Sequence, residues 1–116
     1  MTESSAAVDV VQRQLEAYNQ RDPDAFAAAY REDVQIFRMP STTPAMTGRT
    51  ALREFYASRR FNLPGLHAEV LQRIVIGNKV IDHERVSGVE AQPFEVVAVY
   101  EVVDGAIATV WFYYPS

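Results

Sequence analysis

The pattern that sets the architecture lies between Val10 and Asp33, where the sequence reads VVQRQLEAYNQRDPDAFAAAYRED. Apolar residues recur here at steps of three and four, the spacing of a helix with one buried stripe: Val8, Val11, Leu15 and Tyr18. Asp22 followed by Pro23 predicts the start of a second helix, because Asp caps the first N–H groups and Pro has none to leave unpaired. Helices this short cannot bury their faces on each other alone, so we expect them to cover a sheet.

The rest of the chain predicts one more helix and then strands. After a frayed tail over residues 1–6, we expect helices over residues 7–20 and 24–31, a short strand over 34–39, a loop over 41–47 and a helix that begins at residue 48. From residue 66 the apolar period falls to two, which predicts strands over 66–76, 79–87, 94–103 and 106–114. Gly77-Asn78 and Asp104-Gly105 are typical of tight hairpin turns. Helices followed by an antiparallel meander predict an α+β fold.

The composition predicts one ordinary domain over residues 1–116, with 48% hydrophobic and 22% charged residues. A net charge of -4 without a basic run argues against nucleic-acid binding, and the lack of cysteine excludes disulfides and thiol catalysis. No apolar run reaches the roughly 18 residues of a membrane span, and no signal-peptide core precedes the first helix, so we expect a cytoplasmic protein that does not bind membranes. The two histidines lie far apart without a carboxylate set, so we expect neither a metal nor another cofactor.

Several segments of the sequence resemble a known family: Val10-Val11-Gln12-Arg13, Asn19, Asp22, Asp24, Asp33, and Gly48 followed by residues 51–57. They are similar, over about half the chain, to the ketosteroid isomerase and SnoaL-like branches of the nuclear transport factor 2-like superfamily. The later strands match in pattern only. The resemblance implies a cone-shaped barrel, with three N-terminal helices packed on a curved, mainly antiparallel sheet. One fold hosts many functions, so the activity has to be argued from the residues.

The residues of this chain do not support steroid isomerisation in that family's manner. By resemblance, the oxyanion tyrosine falls on Gln14, the carboxylate base on Arg38 (or Met39) and the protonated aspartate on about Ala98. Gln14 can still donate a hydrogen bond, but Arg38 cannot act as a base near neutral pH.

The hypothesis of an epoxide hydrolase also lacks support from the catalytic residues. Residues 84–87, Glu-Arg-Val-Ser, resemble a motif of the limonene epoxide hydrolase branch, where an Asp–Arg–Asp set activates water. Here Ser87 and Tyr113 stand where that branch has its two aspartates, and only Arg85 remains. The hypothesis of an epoxide hydrolase therefore also lacks the catalytic carboxylates that it requires.

The densest polar stretch in the apolar half is Asp82-His83-Glu84-Arg85. On a strand, Asp82 and Glu84 face one way and His83 and Arg85 the other. The isomerase resemblance puts the first pair inside the barrel, and the hydrolase resemblance puts the second pair inside. We favour an interior His83 slightly, because imidazole is the natural acid–base group at neutral pH. A solvated strand with cross-strand ion pairs is the alternative.

The remaining candidates are residues expected to line a pocket: Gln14, Tyr18, Tyr30, Arg38, Phe55, Arg85, Ala98, Trp111 and Tyr113. Tyr18 and Tyr30 lie on the sheet-facing stripes of their predicted helices, and the resemblance puts Trp111 and Tyr113 inside. Plain core packing is the alternative for the tyrosines, and a surface position is the alternative for Arg38.

The opposite face of the sheet then predicts a partner surface. With Trp111 and Tyr113 inside, the outer face would carry Val97, Val99, Val103, Val110, Phe112 and Tyr114. A monomer rarely exposes so contiguous an apolar surface, so we expect a homodimer through the convex face of the sheet.

The favoured hypothesis is a cofactor-free isomerase-, lyase- or hydrolase-like enzyme that moves a proton on a small apolar organic molecule, with His83 or Glu84 as the base. The alternative is a non-catalytic small-ligand binding or dimeric interaction module with the same architecture. Substrate and reaction stay open at this point.

Overall fold

The computed structural model describes residues 2–115, which form three helices and six strands. The elements follow in this order: α1 (Glu3–Asn19), α2 (Pro23–Ala28), β1 (Tyr30–Arg38), β2 (Met46–Thr47), α3 (Arg49–Arg59), β3 (His67–Ile76), β4 (Lys79–Ser87), β5 (Phe94–Val103) and β6 (Ala106–Tyr113). None of the three helices in this part of the chain is long and apolar enough to cross a membrane.

The strands form one sheet in the order β2-β1-β6-β5-β4-β3. All neighbours are antiparallel except β1 and β6, which run parallel. The predicted α+β class with a mainly antiparallel sheet is therefore confirmed. The sheet is not closed, since β2 and β3 lie at its two edges, so strand pairing does not confirm the cone-shaped barrel that the resemblance implies.

The element boundaries differ from the prediction at the N-terminal end. Of the predicted tail, Met1 lies outside the described residues, and helix α1 already begins at Glu3 because the Thr2 side chain caps it by accepting from the Ser5 N–H at 3.1 Å. Helix α2 is capped by Asp22 and has Pro23 in its first turn, as predicted, but it ends at Ala28. Tyr30 therefore starts β1 and does not lie on a helix. The short strand β2 lies in the predicted loop.

The helices cover one face of the sheet, which we call the inner face. Helix α1 packs over β3 to β6, and α3 packs over β1 and β2. Apolar side chains from both layers are fully buried there, among them Val11, Phe26, Leu52, Val80 and Val110. Full burial of such side chains contributes about 1.5–3 kcal/mol each to folding, so this layer holds the helices in place.

A single extra residue sets the direction of every side chain in the second half of β6. Val102 pairs with Ile107, but Glu101 pairs with Thr109, so Ala108 forms a β-bulge. Such a bulge inserts one residue, and the side-chain alternation continues one position later. Ile107 and Val110 are both fully buried on the inner face. Without the bulge, strict alternation from Ile107 would have turned residues 109, 111 and 113 inward.

The outer face of the sheet carries a row of apolar side chains that crosses five strands. The paired residues are, in order, Phe37, Trp111, Val99, Ile81 and Ile74. The Phe37 and Trp111 rings are stacked, with centroids 6.4 Å apart and planes at 14°. Ile74 is 53% exposed, and the other four are half-buried. We call this set the outer apolar row.

Candidate functional site

A cavity of about 260 Å³ lies between the helices and the inner face of the sheet. Side chains of all three helices and all six strands line it. Most are apolar or aromatic, and a few polar groups converge within them, as in typical small-molecule sites. The volume lies just below the usual range of such sites, about 300–1,000 Å³, so it suits a ligand of one or two rings.

Four polar side chains from four different elements form a hydrogen-bonded chain in this cavity. Tyr30 Oη donates to Gln14 Oε1 at 3.0 Å, Gln14 Nε2 donates to Tyr100 Oη at 3.2 Å, and Tyr100 Oη donates to Glu84 Oε2 at 3.3 Å. All four residues are buried. Because every donor points towards the carboxylate, the chain stabilises negative charge on Glu84. We call these residues the Glu84 relay.

A second buried carboxylate lies two positions away on the same face of β4. Asp82 is fully buried and accepts two hydrogen bonds from Arg73, from Nε at 2.7 Å and from Nη2 at 3.0 Å. Arg73 Nη1 also donates to Gln12 Oε1 at 3.0 Å. The hydrogen bonds with Asp82 raise the pKa of Arg73, although burial opposes this. Asp82 is thus a neutralised structural ion-pair member, while Glu84 has no cationic partner within 4.0 Å in the described chain.

The surroundings of Glu84 make it suitable for proton transfer near neutral pH. The pKa of its carboxyl group is raised from an ordinary 4.5 to about 7, chiefly by burial and then by the negative charge of Asp82. The hydrogen bond from Tyr100 and the more distant charge of Arg73 lower the pKa, but by less. A general acid–base group works best when its pKa lies near the operating pH.

The same pKa predicts how stability depends on pH. The folded chain holds the Glu84 proton more tightly than the unfolded chain, so this group favours folding below pH 4.5 and its contribution is lost as pH rises through 7. The side chain of Glu84→Gln stays neutral at every pH. We therefore expect the difference in unfolding free energy between this variant and the wild type to shift in favour of the variant by up to about 3 kcal/mol between pH 4 and pH 8.5. Urea unfolding at several pH values measures this difference. A difference that does not change with pH would contradict the raised pKa.

Two phenols on the cavity wall have donor capacity left for a ligand. No hydrogen bond within residues 2–115 engages the Tyr18 or Tyr56 hydroxyl, and no fully buried side-chain polar atom there lacks a partner, so both hydroxyls open onto the cavity. Burial raises the pKa of both phenols, so they remain protonated donors. Their rings pack against Phe26 and Phe61, with centroids 4.7–6.0 Å apart, which fixes their direction.

Two arginines complete the cavity lining. The Arg38 guanidinium lies over the Tyr114 ring, 4.3 Å from its centroid, and the Arg60 guanidinium lies over the Phe55 ring at 5.3 Å. Arg38 comes from the end of β1, and Arg60 follows the last turn of α3. Both contacts are cation–π contacts that hold a long side chain in one direction.

The structure brings six of the residues proposed from sequence to the cavity wall: Gln14, Tyr18, Tyr30, Arg38, Phe55 and Glu84. Ala98 faces inward too, but it is fully buried in the core and does not line the cavity.

Four proposed residues lie on the outer face, so the expectation that they enter the cavity was wrong. His83 and Arg85 occupy the outward positions of β4, where His83 hydrogen-bonds Glu95 and Arg85 lies 3.5 Å from Glu69. Solvated cross-strand contacts were the alternative for the whole stretch of residues 82–85, and they are present for these two residues. Asp82 and Glu84 are instead buried on the inner face, as the isomerase resemblance implied. Trp111 and Tyr113 face outward because the Ala108 bulge shifts the alternation of β6. Phe112 and Tyr114 line the cavity in their place, so these two rings are not on the outer face as the dimer argument assumed.

Three important residues were missing from the site proposed from sequence: Tyr100, Tyr56 and Arg60. Tyr100 follows Val96 and Ala98 in strict alternation, so that pattern was sufficient to find it. Arg60 had no comparable signal, because it lies where a helix ends and only packing of that helix brings it to the cavity. No group of three or more His, Asp or Glu side chains among residues 2–115 is arranged to hold a metal ion.

Comparison with known proteins identifies the family of this chain and solved structures with a similar fold. A family model described as "SnoaL-like domain" matches residues 11–110. No curated protein matches the chain significantly. Among solved structures, the chain is similar to a "putative ketosteroid isomerase" from Kribbella flavida, with 24% identity, 100% of this chain and 82% of that chain covered, and a TM-score of 0.83.

Two further structures share the fold. One is an NTF2-like protein of unknown function from Mesorhizobium loti, with 18% identity, coverage of 100% and 96%, and a TM-score of 0.83. The other is an LEH-like epoxide hydrolase from M. tuberculosis, with 19% identity, coverage of 97% and 85%, and a TM-score of 0.81. At these identities the likeness establishes a shared NTF2-like fold and leaves the chemistry to the residues of the site.

Proposed function

Since this chain belongs to the SnoaL-like domain family, we propose that it is a cofactor-free enzyme that moves a proton on a small, mostly apolar organic molecule held in the cavity. Glu84 is the acid–base group. The observation that carries the proposal is a buried carboxyl group in the cavity wall, hydrogen-bonded to Tyr100 and with a pKa of about 7. Strongly perturbed carboxyl groups in a cavity are typical of catalytic sites.

The proposed reaction class is proton abstraction from carbon beside a carbonyl group, the step shared by isomerase- and lyase-like enzymes. The ionised Glu84 takes the proton, and negative charge develops on the carbonyl oxygen. Tyr18 and Tyr56 are the donors for that oxygen, since their hydroxyls open onto the cavity and stay protonated. The Glu84 relay holds the carboxyl group in place through Tyr100. With Gln14, Arg38 and Ala98 in the family's catalytic positions, the steroid isomerase mechanism is not proposed.

The direct test is deuterium exchange from D2O into small cyclic ketones, with 2-tetralone as the first probe, followed by proton NMR. We expect the protein to speed exchange at the carbon beside the carbonyl, with a rate that rises through about pH 7 as Glu84 ionises. Probes that raise the melting temperature but never exchange would instead favour the alternative function, a non-catalytic small-ligand binding module.

We also propose that the protein forms a homodimer through the outer face of the sheet. The outer apolar row lies at its centre, where Trp111 and Val99 are paired neighbours. An apolar row across five strands is what a two-fold interface between two copies requires, since each copy offers the same surface.

The dimer predicts a specific effect of one substitution. Val99→Lys places a charge at the centre of the outer apolar row, and we expect it to weaken association at least tenfold, because central apolar contacts dominate interfaces. Sedimentation velocity at micromolar concentration measures this. Thr50→Lys, on the exposed side of α3, is the matched control and keeps the dimer. A wild-type protein that sediments as a monomer would remove the dimer from the proposal.

A further inference from the structure

The cavity contains two cations that the proposed proton transfer does not use. Neither Arg38 nor Arg60 has a carboxylate partner within 4.0 Å in the described part of the chain, and of the arginines there without such a partner these two line the cavity. The chain has 15 acidic and 11 Lys and Arg residues, so acidic partners are in excess. Within residues 2–115, therefore, the charges of two arginines at one cavity are not neutralised by a carboxylate, and both arginines are available to a ligand of negative charge.

The geometry leaves the hydrogen-bonding edges of both guanidiniums available. The Arg38 guanidinium contacts the Tyr114 ring and the Arg60 guanidinium contacts the Phe55 ring, and neither contact uses an N–H donor in a hydrogen bond. Arg38 makes no side-chain hydrogen bond within residues 2–115. Arg60 Nη1 donates to the Arg59 carbonyl oxygen at 3.0 Å, and the other N–H donors of Arg60 are available. A guanidinium edge matches a carboxylate in a bidentate hydrogen bond.

Both guanidiniums belong to the wall of the same cavity. The Arg38 guanidinium lies over the Tyr114 ring and the Arg60 guanidinium lies over the Phe55 ring, and both rings line the cavity. Burial raises the pKa of the Tyr114 phenol and the positive charges of Arg38 and Arg60 both lower it, which agrees with this placement. The Glu84 relay consists of buried groups, whereas Arg38 and Tyr114 are exposed. The cavity therefore has a cationic mouth and an acid–base group at depth, with aromatic walls between them.

We infer that the substrate is a small cyclic organic acid. Its ring enters the cavity first, and its carboxylate stays at the mouth, where Arg38 and Arg60 bind it. The ring contacts Phe55, Phe112 and Tyr114, and the reacting carbon lies towards Glu84. A carboxylate fits better than a phosphate, because a second negative charge would enter a small, mostly apolar cavity that already contains the Glu84 carboxyl group. The inference rests on the proposed function only in taking this cavity as the substrate site.

The test compares two ligands that differ only in charge, 2-naphthoate and its methyl ester, by isothermal titration calorimetry at pH 7.5. We expect the acid to bind at least tenfold more tightly than the ester, and Arg38→Gln and Arg60→Gln each to lose about tenfold in affinity for the acid and little for the ester. Arg59→Gln is the matched control, since this neighbouring arginine is exposed and does not line the cavity. Melting curves establish that each variant is folded.

Two results would overturn the inference: equal affinity for acid and ester, or an affinity for 2-naphthoate that Arg38→Gln and Arg60→Gln leave unchanged. Tighter binding of 2-naphthyl phosphate than of 2-naphthoate would overturn the choice of a carboxylate. Glu84→Gln separates this inference from the proposed function. If that variant binds 2-naphthoate normally and the wild type exchanges no deuterium into any probe, the anion site stands and the enzymatic proposal fails.

Discussion

Replacing Glu84 with glutamine is expected to lower the rate of deuterium exchange by roughly 10²–10⁴-fold, the usual contribution of a positioned general acid–base group. Glutamine has nearly the same shape and keeps a carbonyl oxygen for the Tyr100 hydroxyl, which lies 3.3 Å from the native carboxylate. The variant therefore loses the proton acceptor and keeps the cavity. Unchanged ligand affinity with a lost rate is the expected signature of such a change.

The matched control is Glu95→Gln, which removes a carboxylate from the outer face, where Glu95 hydrogen-bonds His83. We expect this variant and His83→Ala to exchange deuterium at the wild-type rate. The pH profile adds an independent readout, because the wild-type rate should rise through about pH 7 with Glu84. Full activity in Glu84→Gln, or loss of activity in His83→Ala, would show that the proton moves through another group.

Replacing Arg73 with methionine is expected to destabilise the protein by about 3–5 kcal/mol, because a buried ion pair that loses one member leaves an uncompensated charge in the interior. Asp82 is fully buried, and its two hydrogen bonds from Arg73, at 2.7 and 3.0 Å, are the ones that neutralise it. Methionine keeps much of the apolar stem, so the loss reports the missing charge. Urea unfolding at pH 7 measures it.

The control for Arg73 is an ion pair of similar length at the surface. Arg53 Nε lies 2.8 Å from Asp24 Oδ1, but these side chains are 42% and 83% exposed, so we expect Arg53→Met to cost less than about 1 kcal/mol. Adding Asp82→Leu to Arg73→Met should recover most of the lost stability, since an apolar pair of similar size needs no compensation. If Arg73→Met costs no more than Arg53→Met, Asp82 is not held as a buried anion.

The sequence predicted the helices and strands because their signals are local. The Asp22-Pro23 start of α2 and the Asp104-Gly105 turn depend on conformational preferences of neighbouring residues, and both are present. The same local signals failed at Tyr30, where a helical pattern continued into a strand. There the Ile107 N–H donates to the Ala29 carbonyl at 2.9 Å, and Tyr30 pairs with Ile107, a partner 77 positions away in the chain.

Which side chains of β4 and β6 face the cavity could be determined only from the assembled sheet. A strand places alternate residues on opposite faces, so a local pattern leaves two solutions, and one inserted residue exchanges them. Ala108 is that residue in β6, and its bulge turned Trp111 outward and Phe112 into the cavity. The sequence thus identified candidate residues for the proposed proton transfer, including Glu84. Which of these side chains share one cavity was settled by hydrogen-bond register between distant strands, because register is a property of pairs of strands and not of either strand alone.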